Sequence, residues 1–568
     1  MHHNRTALAL SASLVLLILS GCERQAVTEE RATGLVASSA MVVSAHPLAS
    51  QVGRDILKKG GNAVDAAVAT QLALAVVFPA AGNLGGGGFM LARFADGSMD
   101  ALDYREKAPD EAYTEMYLGE TGEPIPGKSF RGHLASGVPG TVAGLVEAHG
   151  KYGKLQWTDL VQPAVDLATK GFPLTKREAE GLLSIQAGLK EFNTVLPEQF
   201  IRESWKEGDT LIQTELGSTL ERIRDAGRSG FYEGKTAQDI VAEMNRGEGM
   251  ISLADLKNYT AIWRKPLVTD YKNYRVISMP PPSSGGVLLF QLLKAVEDQP
   301  IAEWGWNSAS TSHLIIEAER RAYADRAHFL GDPDFIRIPV AELTSDAYIK
   351  SRMKDIDLKQ ATPSASVREG TIAPESEETT HLSVVDAEGN AVAVTTTLNA
   401  GYGSLVVVAG SGFLLNDEMD DFSIKPGAPN IYGAVGGEAN KIEPNKRMLS
   451  SMTPTILERD GRLFMVVGTP GGTTIITSVF QTILNVVEFG MTMQEAVAAK
   501  RFHHQWAPDI VFTEPATFKP ADSIRLSQLG HTLKMRGPIG RVDAIRVLTS
   551  GKLEGGADPR GDDQAAGY

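Results

Sequence analysis

The chain has 568 residues, a formal net charge of −14, and 43% hydrophobic and 22% charged residues. This composition is typical of a globular protein and excludes a disordered, collagen-like or coiled-coil chain, and the negative charge argues against general nucleic-acid binding. The single cysteine excludes an intrachain disulfide and any site built from several cysteines. Length alone predicts about three to four domains, although large α/β folds often run longer as a single domain. The 57 glycines indicate many tight turns or close backbone approaches.

The first residues are typical of an export signal. Ala7 to Leu19 is a mostly apolar run, too short to cross a bilayer comfortably and suited to the centre of a signal peptide. The following Leu19-Ser20-Gly21-Cys22 resembles the lipobox of bacterial lipoproteins, in which the cysteine is acylated and becomes the new N-terminus. We therefore expect a signal peptide at 1–21, a lipid anchor at Cys22, a polar tether over 22–40, and an exported protein at the cell envelope or in the periplasm. The alternative is an ordinary signal peptide with an incidental cysteine.

The first half of the body alternates short strands with helices. Residues 41–45 predict a buried strand, and the apolar stretch 62–77 predicts a buried helix capped by Asn62 with Asp65 in its first turn. Residues 89–104 predict a hairpin, because a turn signal at 95–98 separates two apolar runs. Residues 157–250 and 312–329 show helical spacing.

The second half is richer in strands. A polar, exposed segment at 354–378 precedes a predicted hairpin formed by 381–386 and 391–398. Further on, 462–467 predict a strand, 468–473 a glycine turn and 474–489 a helix. This mixture predicts antiparallel sheet covered by helices.

Thr379 lies where the exposed segment meets the first strand of that hairpin. A threonine hydroxyl is a weak nucleophile, and one way to activate it is the threonine's own α-amine, which exists only when the residue is a chain N-terminus. That amine has an ordinary pKa of about 7.7–8.0, close to working pH. Catalysis would therefore require cleavage before Thr379. Taken alone, Thr379-Thr380 is more simply a pair of β-branched residues that opens a strand.

Other sequence blocks accompany this threonine. In the first half they are 60–67 (GGNAVDAA), 83–90 (NLGGGGFM), 103–109 (DYREKAP), 138–141 (VPGT), 281–286 (PPSSGG) and 322–326 (AYADR). In the second half they are 379–381 (TTH), 390–399 (NAVAVTTTLN), 444–455 (PNKRMLSSMTPT), 501–506 (RFHHQW) and 558–560 (DPR). Together, from about residue 41 to 568, these blocks resemble the γ-glutamyltransferases, also called γ-glutamyltranspeptidases or glutathione hydrolases.

The resemblance implies an α+β fold of the N-terminal-nucleophile hydrolase type, an αββα sandwich with stacked antiparallel sheets between helices. It also implies a proenzyme that cuts itself between Glu378 and Thr379, into a large subunit at 41–378 and a small catalytic subunit at 379–568. Thr379 would be the processing residue and the nucleophile. Thr397 matches the threonine that hydrogen-bonds the nucleophile, and residues 395 and 397 share one face of a strand.

The substrate residues are implied in the same way. Arg105 matches the arginine that binds the α-carboxylate, where a bidentate guanidinium is well suited. Ser450 and Ser451 would add hydroxyl donors. The residues matched to binding of the α-ammonium are Asn399, Glu418 and Asp421.

Two features would complete the site. Gly471 and Gly472 match the oxyanion hole, where backbone N–H groups stabilise the developing charge. Taken alone, these glycines are simply a strand-to-helix turn. Residues 426–445 resemble the family's lid, with Tyr432 as its gating tyrosine, and a lid would exclude bulk water.

The sequence thus predicts an enzyme acting on glutathione and other γ-glutamyl compounds, with water or acceptor amino acids and peptides receiving the glutamyl group. No metal or organic cofactor and no nucleic acid is expected. The alternatives are a related acylase acting on glutaryl-cephalosporin-like amides and a surface-anchored binding protein that never matures. Nucleotide binding at 85–88 is disfavoured because no Lys-Ser/Thr follows the glycines, and His503-His504 is expected to be structural.

Overall fold

The computed structural model describes residues 30–367, 379–425 and 437–568. The predictions for the signal peptide, for Cys22, for Glu378 and for Tyr432 lie outside these residues. Among the described residues, no helix combines the length and hydrophobicity needed to cross a membrane.

Nineteen strands are found in the described parts of the chain. They are β1 (Leu35–Ala37), β2 (Met41–Ser44), β3 (Gly87–Arg93), β4 (Met99–Asp103), β5 (Phe172–Pro173), β6 (Thr210–Leu211), β7 (Ile262–Arg264), β8 (Leu267–Tyr271), β9 (Tyr274–Ser278), β10 (Thr379–Val385), β11 (Ala391–Thr397), β12 (Thr455–Arg459), β13 (Arg462–Gly468), β14 (Phe502–His503), β15 (Val511–Thr513), β16 (Leu533–Met535), β17 (Asp543–Val547), β18 (Leu553–Gly556) and β19 (Gln564–Gly567).

Eighteen α-helices occur in the same ranges. They are α1 (Pro47–Lys58), α2 (Ala63–Val77), α3 (Thr141–Tyr152), α4 (Trp157–Lys170), α5 (Lys176–Ser184), α6 (Gln186–Phe192), α7 (Thr214–Ala226), α8 (Ser229–Tyr232), α9 (Gly234–Arg246), α10 (Leu253–Asn258), α11 (Gly285–Val296), α12 (Ile301–Trp304), α13 (Ala309–Phe329), α14 (Val340–Leu343), α15 (Asp346–Met353), α16 (Thr474–Val487), α17 (Met493–Ala498) and α18 (Pro520–Leu529). Short 3₁₀ helices lie at His133–Ala135, Ser364–Ser366, Glu418–Asp421 and Glu438–Asn440.

Two seven-stranded antiparallel sheets form the centre of the molecule. The first has the strand order β1-β18-β17-β13-β12-β9-β8, and the second has the order β19-β2-β10-β11-β3-β4-β7. Helices α1 and α2 pack on the second sheet, and α11 and α16 pack on the first. Because the two sheets also face each other, the arrangement is an αββα sandwich, as the family resemblance implies.

The alternation of side chains in the second sheet explains this layering. Val42, Val384 and Val392 belong to the core shared with α1 and α2, whereas Val43 and Ala393 belong to the core between the sheets. Successive side chains of a strand point to opposite faces, so a strand that is apolar throughout can bury both faces. The central hairpin is therefore held rigidly between a helical layer and a sheet.

The predicted cap of the buried helix is confirmed. The Asn62 side chain accepts a hydrogen bond of 2.9 Å from the Asp65 N–H, and the Asp65 carboxylate accepts one of 3.1 Å from the Asn62 N–H. This reciprocal capping satisfies two backbone donors at a helix start that has little contact with water. The helix, α2, is buried along its whole length.

Two expectations differ from the structure. The expectation of three to four domains is wrong, because strands from residue 35 to residue 567 share the two sheets. Within the segment expected to be a polar tether, Leu35–Ala37 pair with β18, and the Thr33 N–H donates to the Glu554 carboxylate at 2.9 Å. The backbone of residues 35–37 pairs with β18 at the edge of the first sheet. The local sequence does not predict this long-range pairing.

Candidate active site

Thr379 and Thr397 occupy facing positions in the central hairpin. Thr379 is the first residue of β10 and pairs in antiparallel register with Thr397, the last residue of β11. The Thr379 hydroxyl donates to the Thr397 hydroxyl oxygen at 3.4 Å. The predicted strand starts at residue 381, two residues later than observed. Thr379 is 7% exposed and therefore sits in a sheltered position at the end of the strand.

The glycine run after α2 allows the backbone to approach this hairpin closely. A Cβ atom at Gly86 would lie 2.1 Å from the carbonyl oxygen of Thr397, so a side chain there would displace the strand. Nearby, the Asn83 amide donates to the Thr397 carbonyl oxygen at 2.9 Å and to the Thr396 hydroxyl at 3.1 Å. The lack of a side chain at Gly86 thus allows the glycine segment to pack against the end of β11, and the hydrogen bonds from Asn83 hold that strand end in place.

Asn399 connects the threonine pair to the next part of the site. Its N–H donates to the Thr397 hydroxyl oxygen at 2.7 Å, and its amide donates to the Asp417 carbonyl oxygen at 2.9 Å. Its φ of 77° is in the left-handed region, which asparagine tolerates better than most residues. This turn brings the Glu418–Asp421 3₁₀ helix toward the end of β11.

Arg105 is a buried arginine surrounded by carboxylates. Its side chain is 1% exposed and forms ion pairs with Glu418 and Asp421, and Glu106 lies 3.5 Å away. Its Nε and one terminal nitrogen also approach the carbonyl oxygens of Met448 and Leu449 at 3.4 and 3.3 Å. Two segments widely separated in sequence, 105–106 and 418–421, therefore meet in one charged cluster.

Burial governs the ionisation of this cluster. It raises the pKa of Glu106 to about 7 and raises the pKa of both Glu418 and Asp421, while the positive charge of Arg105 opposes each of these shifts. Arg326 also acts on Asp421, but the raised pKa values show that these positive charges do not fully offset three ionised carboxylates. The cluster therefore favours a further cation, or protons on the carboxylates.

The serine pair follows the segment that contacts Arg105. The Ser450 hydroxyl accepts from the Met452 N–H at 3.2 Å, and the Ser451 hydroxyl accepts from Arg326 at 3.0 Å. Both serines are buried, and each hydroxyl keeps its own hydrogen atom available as a donor. The structure thus places the two serines beside the arginine cluster.

Gly471 and Gly472 form the turn between β13 and α16. Their φ values are 133° and 51°, which favour glycine over residues with a side chain. The Gly471 carbonyl oxygen accepts from the Thr474 N–H at 2.9 Å, which fixes the turn. Gly471 and Thr379 line the same small cavity, so this turn reaches the threonine predicted to be the nucleophile.

The end of the segment predicted to be a lid contacts the arginine cluster. The Asn440 amide donates to the Asp421 carbonyl oxygen at 2.7 Å, and its side-chain oxygen accepts from the Leu449 N–H at 3.0 Å. This asparagine links two backbone segments that border Arg105. Residues 426–436, which include Tyr432, lie outside the described residues.

The described residues include one cluster with a composition suited to a metal ion: His313, Glu317 and His531. His313 Nδ1 and His531 Nε2 are 2.7 Å apart, which is a hydrogen bond between the rings. The Glu317 carboxylate is already paired with Arg320 and Arg321.

His503 and His504, which are neighbours in sequence, contact different partners. The His503 ring lies 2.8 Å from the Gln505 side chain, and the His504 ring lies 3.4 Å from the Asp509 carboxylate.

Comparison with known proteins agrees with this geometry. The family model described as γ-glutamyltranspeptidase matches residues 49–568. The chain belongs to the γ-glutamyltranspeptidase family. It is 47% identical over 536 residues to the glutathione hydrolase proenzyme of Escherichia coli, a match covering 94% of this chain and 92% of that protein.

Two solved structures extend the comparison. The γ-glutamyltranspeptidase of Helicobacter pylori is 41% identical, with a TM-score of 0.57, and the match covers 60% of this chain and 97% of that one. The cephalosporin acylase of Bacillus halodurans has a TM-score of 0.83 at 28% identity, covering 95% of this chain and 97% of that one. This chain, a member of the γ-glutamyltranspeptidase family, therefore has a fold similar to that of a cephalosporin acylase.

Sequence reasoning missed several residues that shape this site. Glu106 lies in the block 103–109, but nothing in the local sequence indicates that its side chain is buried against Arg105. Arg326 lies in the block 322–326, and its contact with Ser451 depends on the packing of α13. Asp417, whose carboxylate accepts from the Ala400 N–H at 2.9 Å, carries no recognisable signal.

Proposed function

We propose that this γ-glutamyltranspeptidase-family chain is a proenzyme that cleaves itself before Thr379 and then transfers γ-glutamyl groups. The observation that carries the proposal is the pairing of Thr379 with Thr397 across the strand ends, with their hydroxyl oxygens 3.4 Å apart. The 47% identity to a glutathione hydrolase proenzyme supports the same activity here. Glutathione and related γ-glutamyl compounds are the proposed donors.

Maturation would give a large subunit of residues 22–378 and a small subunit of residues 379–568, if the signal peptide is removed at Cys22. In proportion to a whole chain of 60.9 kDa, these would migrate at about 38 and 20 kDa. β10 and β11 both lie in the small subunit, flanked by β2 and β3 of the large one. The two subunits would therefore stay together after cleavage through a shared sheet.

The proposed reaction proceeds through an ester. The Thr379 Oγ attacks the γ-carbonyl carbon while the new α-amine of Thr379 takes the hydroxyl proton. The amide C–N bond breaks, the leaving amine receives that proton, and the glutamyl group remains on Thr379. Water or an acceptor amine then attacks the ester, the C–O bond breaks, and the proton returns to Thr379. The N–H groups of Gly471 and Gly472 would stabilise the oxyanion in both steps.

Recognition of the glutamyl head group would use the arginine cluster. The α-carboxylate would bind Arg105, and the α-ammonium would bind Glu418, Asp421 and Asn399. An ammonium would add positive charge beside three carboxylates that the neighbouring arginines offset only in part, so a zwitterion suits this site better than a simple anion. Ser450 and Ser451 would donate to the carboxylate, and Tyr432 with the rest of residues 426–445 would cover the bound group.

Acylase activity is the second candidate, favoured by the structural similarity to the cephalosporin acylase of Bacillus halodurans. Two substrates that differ only in the α-ammonium distinguish γ-glutamyl transfer from acylase activity. The γ-glutamyl-p-nitroanilide carries the ammonium, and the glutaryl-p-nitroanilide lacks it. We expect a strong preference for the first, reduced by about tenfold or more in Asp421→Asn, because an ammonium–carboxylate hydrogen bond is lost. Equal turnover of both anilides by the unaltered enzyme would favour the acylase.

Arg105→Lys tests the carboxylate assignment. A lysine keeps the charge but cannot form the bidentate contact, so the KM for the γ-glutamyl anilide should rise by about tenfold or more. Arg93→Lys is a matched control, since Arg93 is similarly buried and pairs with Glu458 at 2.8 Å, outside the cluster. An unchanged KM in Arg105→Lys would remove Arg105 from substrate binding.

The proposed location is the cell envelope, with acylated Cys22 as the anchor. Two or three acyl chains would give stable attachment, where one would not. Labelled palmitate should enter the unaltered protein and not the Cys22→Ser variant, which should also leave the membrane fraction. A Cys22→Ser variant that remains labelled and membrane-bound would contradict the anchor.

A further inference from the structure

A cavity of about 180 Å³ lies on one side of Thr379. Thr379, Pro470 and Gly471 form one wall, and Arg177, Arg541 and Arg560 supply the charged part of the lining. None of the residues proposed to bind the glutamyl head group lines this cavity. The cavity contains the proposed nucleophile and part of the proposed oxyanion turn but no head-group residue, so under the proposed function it would lie on the leaving-group side of the scissile bond.

The three arginines differ in how they are held. Arg560 contacts Glu514 through two nitrogens at 2.6 Å and Asp558 at 2.9 Å, so it is committed to structural ion pairs. Arg177, on α5, has a side chain that is 58% exposed, and its nearest carboxylate oxygen belongs to Asp562 at 3.6 Å. A guanidinium with this exposure and such a distant partner remains able to bind another anion.

Arg541 is tied to the oxyanion turn. Its N–H donates to the Thr469 hydroxyl oxygen at 2.7 Å, two residues before Gly471. Its guanidinium is fixed by Asp563 at 2.5 Å and by the Ala45 carbonyl oxygen at 2.7 Å, and it lies 4.9 Å from the centre of the Phe78 ring. These contacts hold the arginine head in a fixed position beside the reacting group.

A second cavity of about 340 Å³ shares Arg177 and Arg541 with the first. Its lining also includes apolar residues, among them Phe78, Ile185 and Tyr402, and two carboxylate residues: Asp562, which is the partner of Arg177, and Glu178, which pairs with His46. The two cavities therefore provide room for a peptide that carries an anionic group at the arginines and an apolar side chain beyond them.

We propose that Arg177 and Arg541 form a carboxylate subsite for the peptide leaving group, and for an acceptor peptide that takes its place. This inference rests on the proposed function and adds the substrate class on the other side of the reacting bond. For transfer, the acceptor α-amine attacks the γ-carbonyl carbon of the ester, a C–N bond forms, the C–Oγ bond breaks, and the amine proton passes to Thr379 Oγ. The acceptor carboxylate stays on the two arginines during this step.

The test compares two donors that differ only at the leaving-group carboxylate: glutathione and its C-terminal amide. The unaltered mature enzyme should show a kcat/KM about tenfold higher for glutathione, as expected for a charge-assisted hydrogen bond. Arg177→Gln should reduce this preference by about threefold or more, and Arg541→Gln should reduce it further. Arg541→Lys should restore part of the preference, because the charge returns without the fork geometry.

Controls separate this inference from the proposed function. Lys176→Gln, the neighbouring exposed cation on α5, should keep the full preference for glutathione. Hydrolysis of γ-glutamyl-p-nitroanilide, whose leaving group has no carboxylate, reports the proposed function itself. Anilide hydrolysis with equal use of glutathione and its amide would overturn the subsite alone. Variants that slow only the cleavage before Thr379, with an unchanged donor preference, would assign the arginines to maturation and also overturn it.

Discussion

The hydroxyl groups of Thr379 and Thr397 face each other across β10 and β11, whereas that of Thr380, one residue along, points to the opposite face of the sheet. Within the described residues the Thr380 hydroxyl has no hydrogen-bond partner. Two adjacent threonines with the same chemistry and similar burial therefore have different surroundings. Thr379 lines a cavity together with Gly471 of the glycine turn.

This contrast predicts the outcome of two substitutions. Thr379→Ala removes the hydroxyl proposed to carry out self-cleavage and to form the ester, so the chain should remain a single band and release no p-nitroaniline. Thr380→Val removes the hydroxyl on the other face and keeps the size of the side chain. This variant should still mature into two bands. Gel electrophoresis and N-terminal sequencing of the smaller band measure both. A small subunit that starts elsewhere than at Thr379, or a Thr379→Ala chain that still matures, would move the cleavage site.

Thr397 should affect rate more than assembly. Thr397→Val loses the hydrogen bond to Thr379 and leaves the Asn399 N–H without its 2.7 Å acceptor. If these losses destabilise the transition state, the loss of a neutral hydrogen bond and of the acceptor for a buried donor lowers the rate by about tenfold or more. Maturation and kcat should both slow by about that factor, while Thr397→Ser, which keeps the hydroxyl, should recover most of the rate. Equal rates for the valine and serine variants would show that the hydroxyl has no role.

Local rules predict local structure well in this chain. The cap formed by Asn62 and Asp65 and the hairpin that carries Thr397 follow from residue types a few positions apart, and the structure confirms both. The pairing of β19 with β2 joins opposite ends of the chain and leaves no local pattern. The same distinction applies to the site. Arg105 could be identified by resemblance, but its contact with Glu106 depends on burial, and the meeting of Arg177 with Arg541 depends on the fold as a whole.

The carboxylates around Arg105 predict a pH-dependent KM. Burial raises the pKa of Glu106 to about 7 and raises those of Glu418 and Asp421, so these groups hold protons at lower pH and ionise as the pH rises. If the ionised forms bind the donor ammonium as proposed, the KM for the γ-glutamyl anilide should fall between pH 6 and 8, around the pKa of Glu106, by up to about tenfold per pH unit. The glutaryl anilide lacks the ammonium and serves as the control. A similar fall in its KM would assign the effect to another group.

Glu418→Gln should make that KM less sensitive to pH. Glutamine keeps the size and an oxygen acceptor but cannot ionise, so one titrating carboxylate leaves the cluster. The KM should be higher than that of the unaltered enzyme at high pH, and the two values should converge as the pH falls and the Glu418 carboxylate is protonated. Titration of the Thr379 amine is expected in kcat, because it acts on the reacting atoms rather than on the head group. A variant whose KM keeps the full pH dependence would exclude Glu418 as the titrating group.

His381 predicts a loss of stability in acid. Its ring is fully buried in β10 between Thr395 at 2.9 Å and Ser383 at 3.1 Å, and burial lowers its pKa to about 3. In the unfolded chain a histidine takes up its proton near pH 6.5, so the unfolded state binds more protons than the folded state between pH 6.5 and 3. The stability that the neutral ring contributes is therefore present above pH 6.5. It is lost as the pH falls toward 3, by about 1.4 kcal/mol per pH unit.

His381→Gln isolates this contribution, because glutamine stays neutral in both states. Above pH 7 the variant should be less stable than the unaltered protein by a constant amount, which reflects the lost packing and hydrogen bonds. Between pH 6.5 and 4.5 that difference in unfolding free energy should shrink by about 1.4 kcal/mol per pH unit, as the unaltered protein alone loses stability. Denaturant unfolding at half-unit pH intervals measures the difference directly, and carboxylates that titrate in both proteins cancel from it. A difference that stays constant down to pH 4.5 would mean that the ring is protonated in the folded protein.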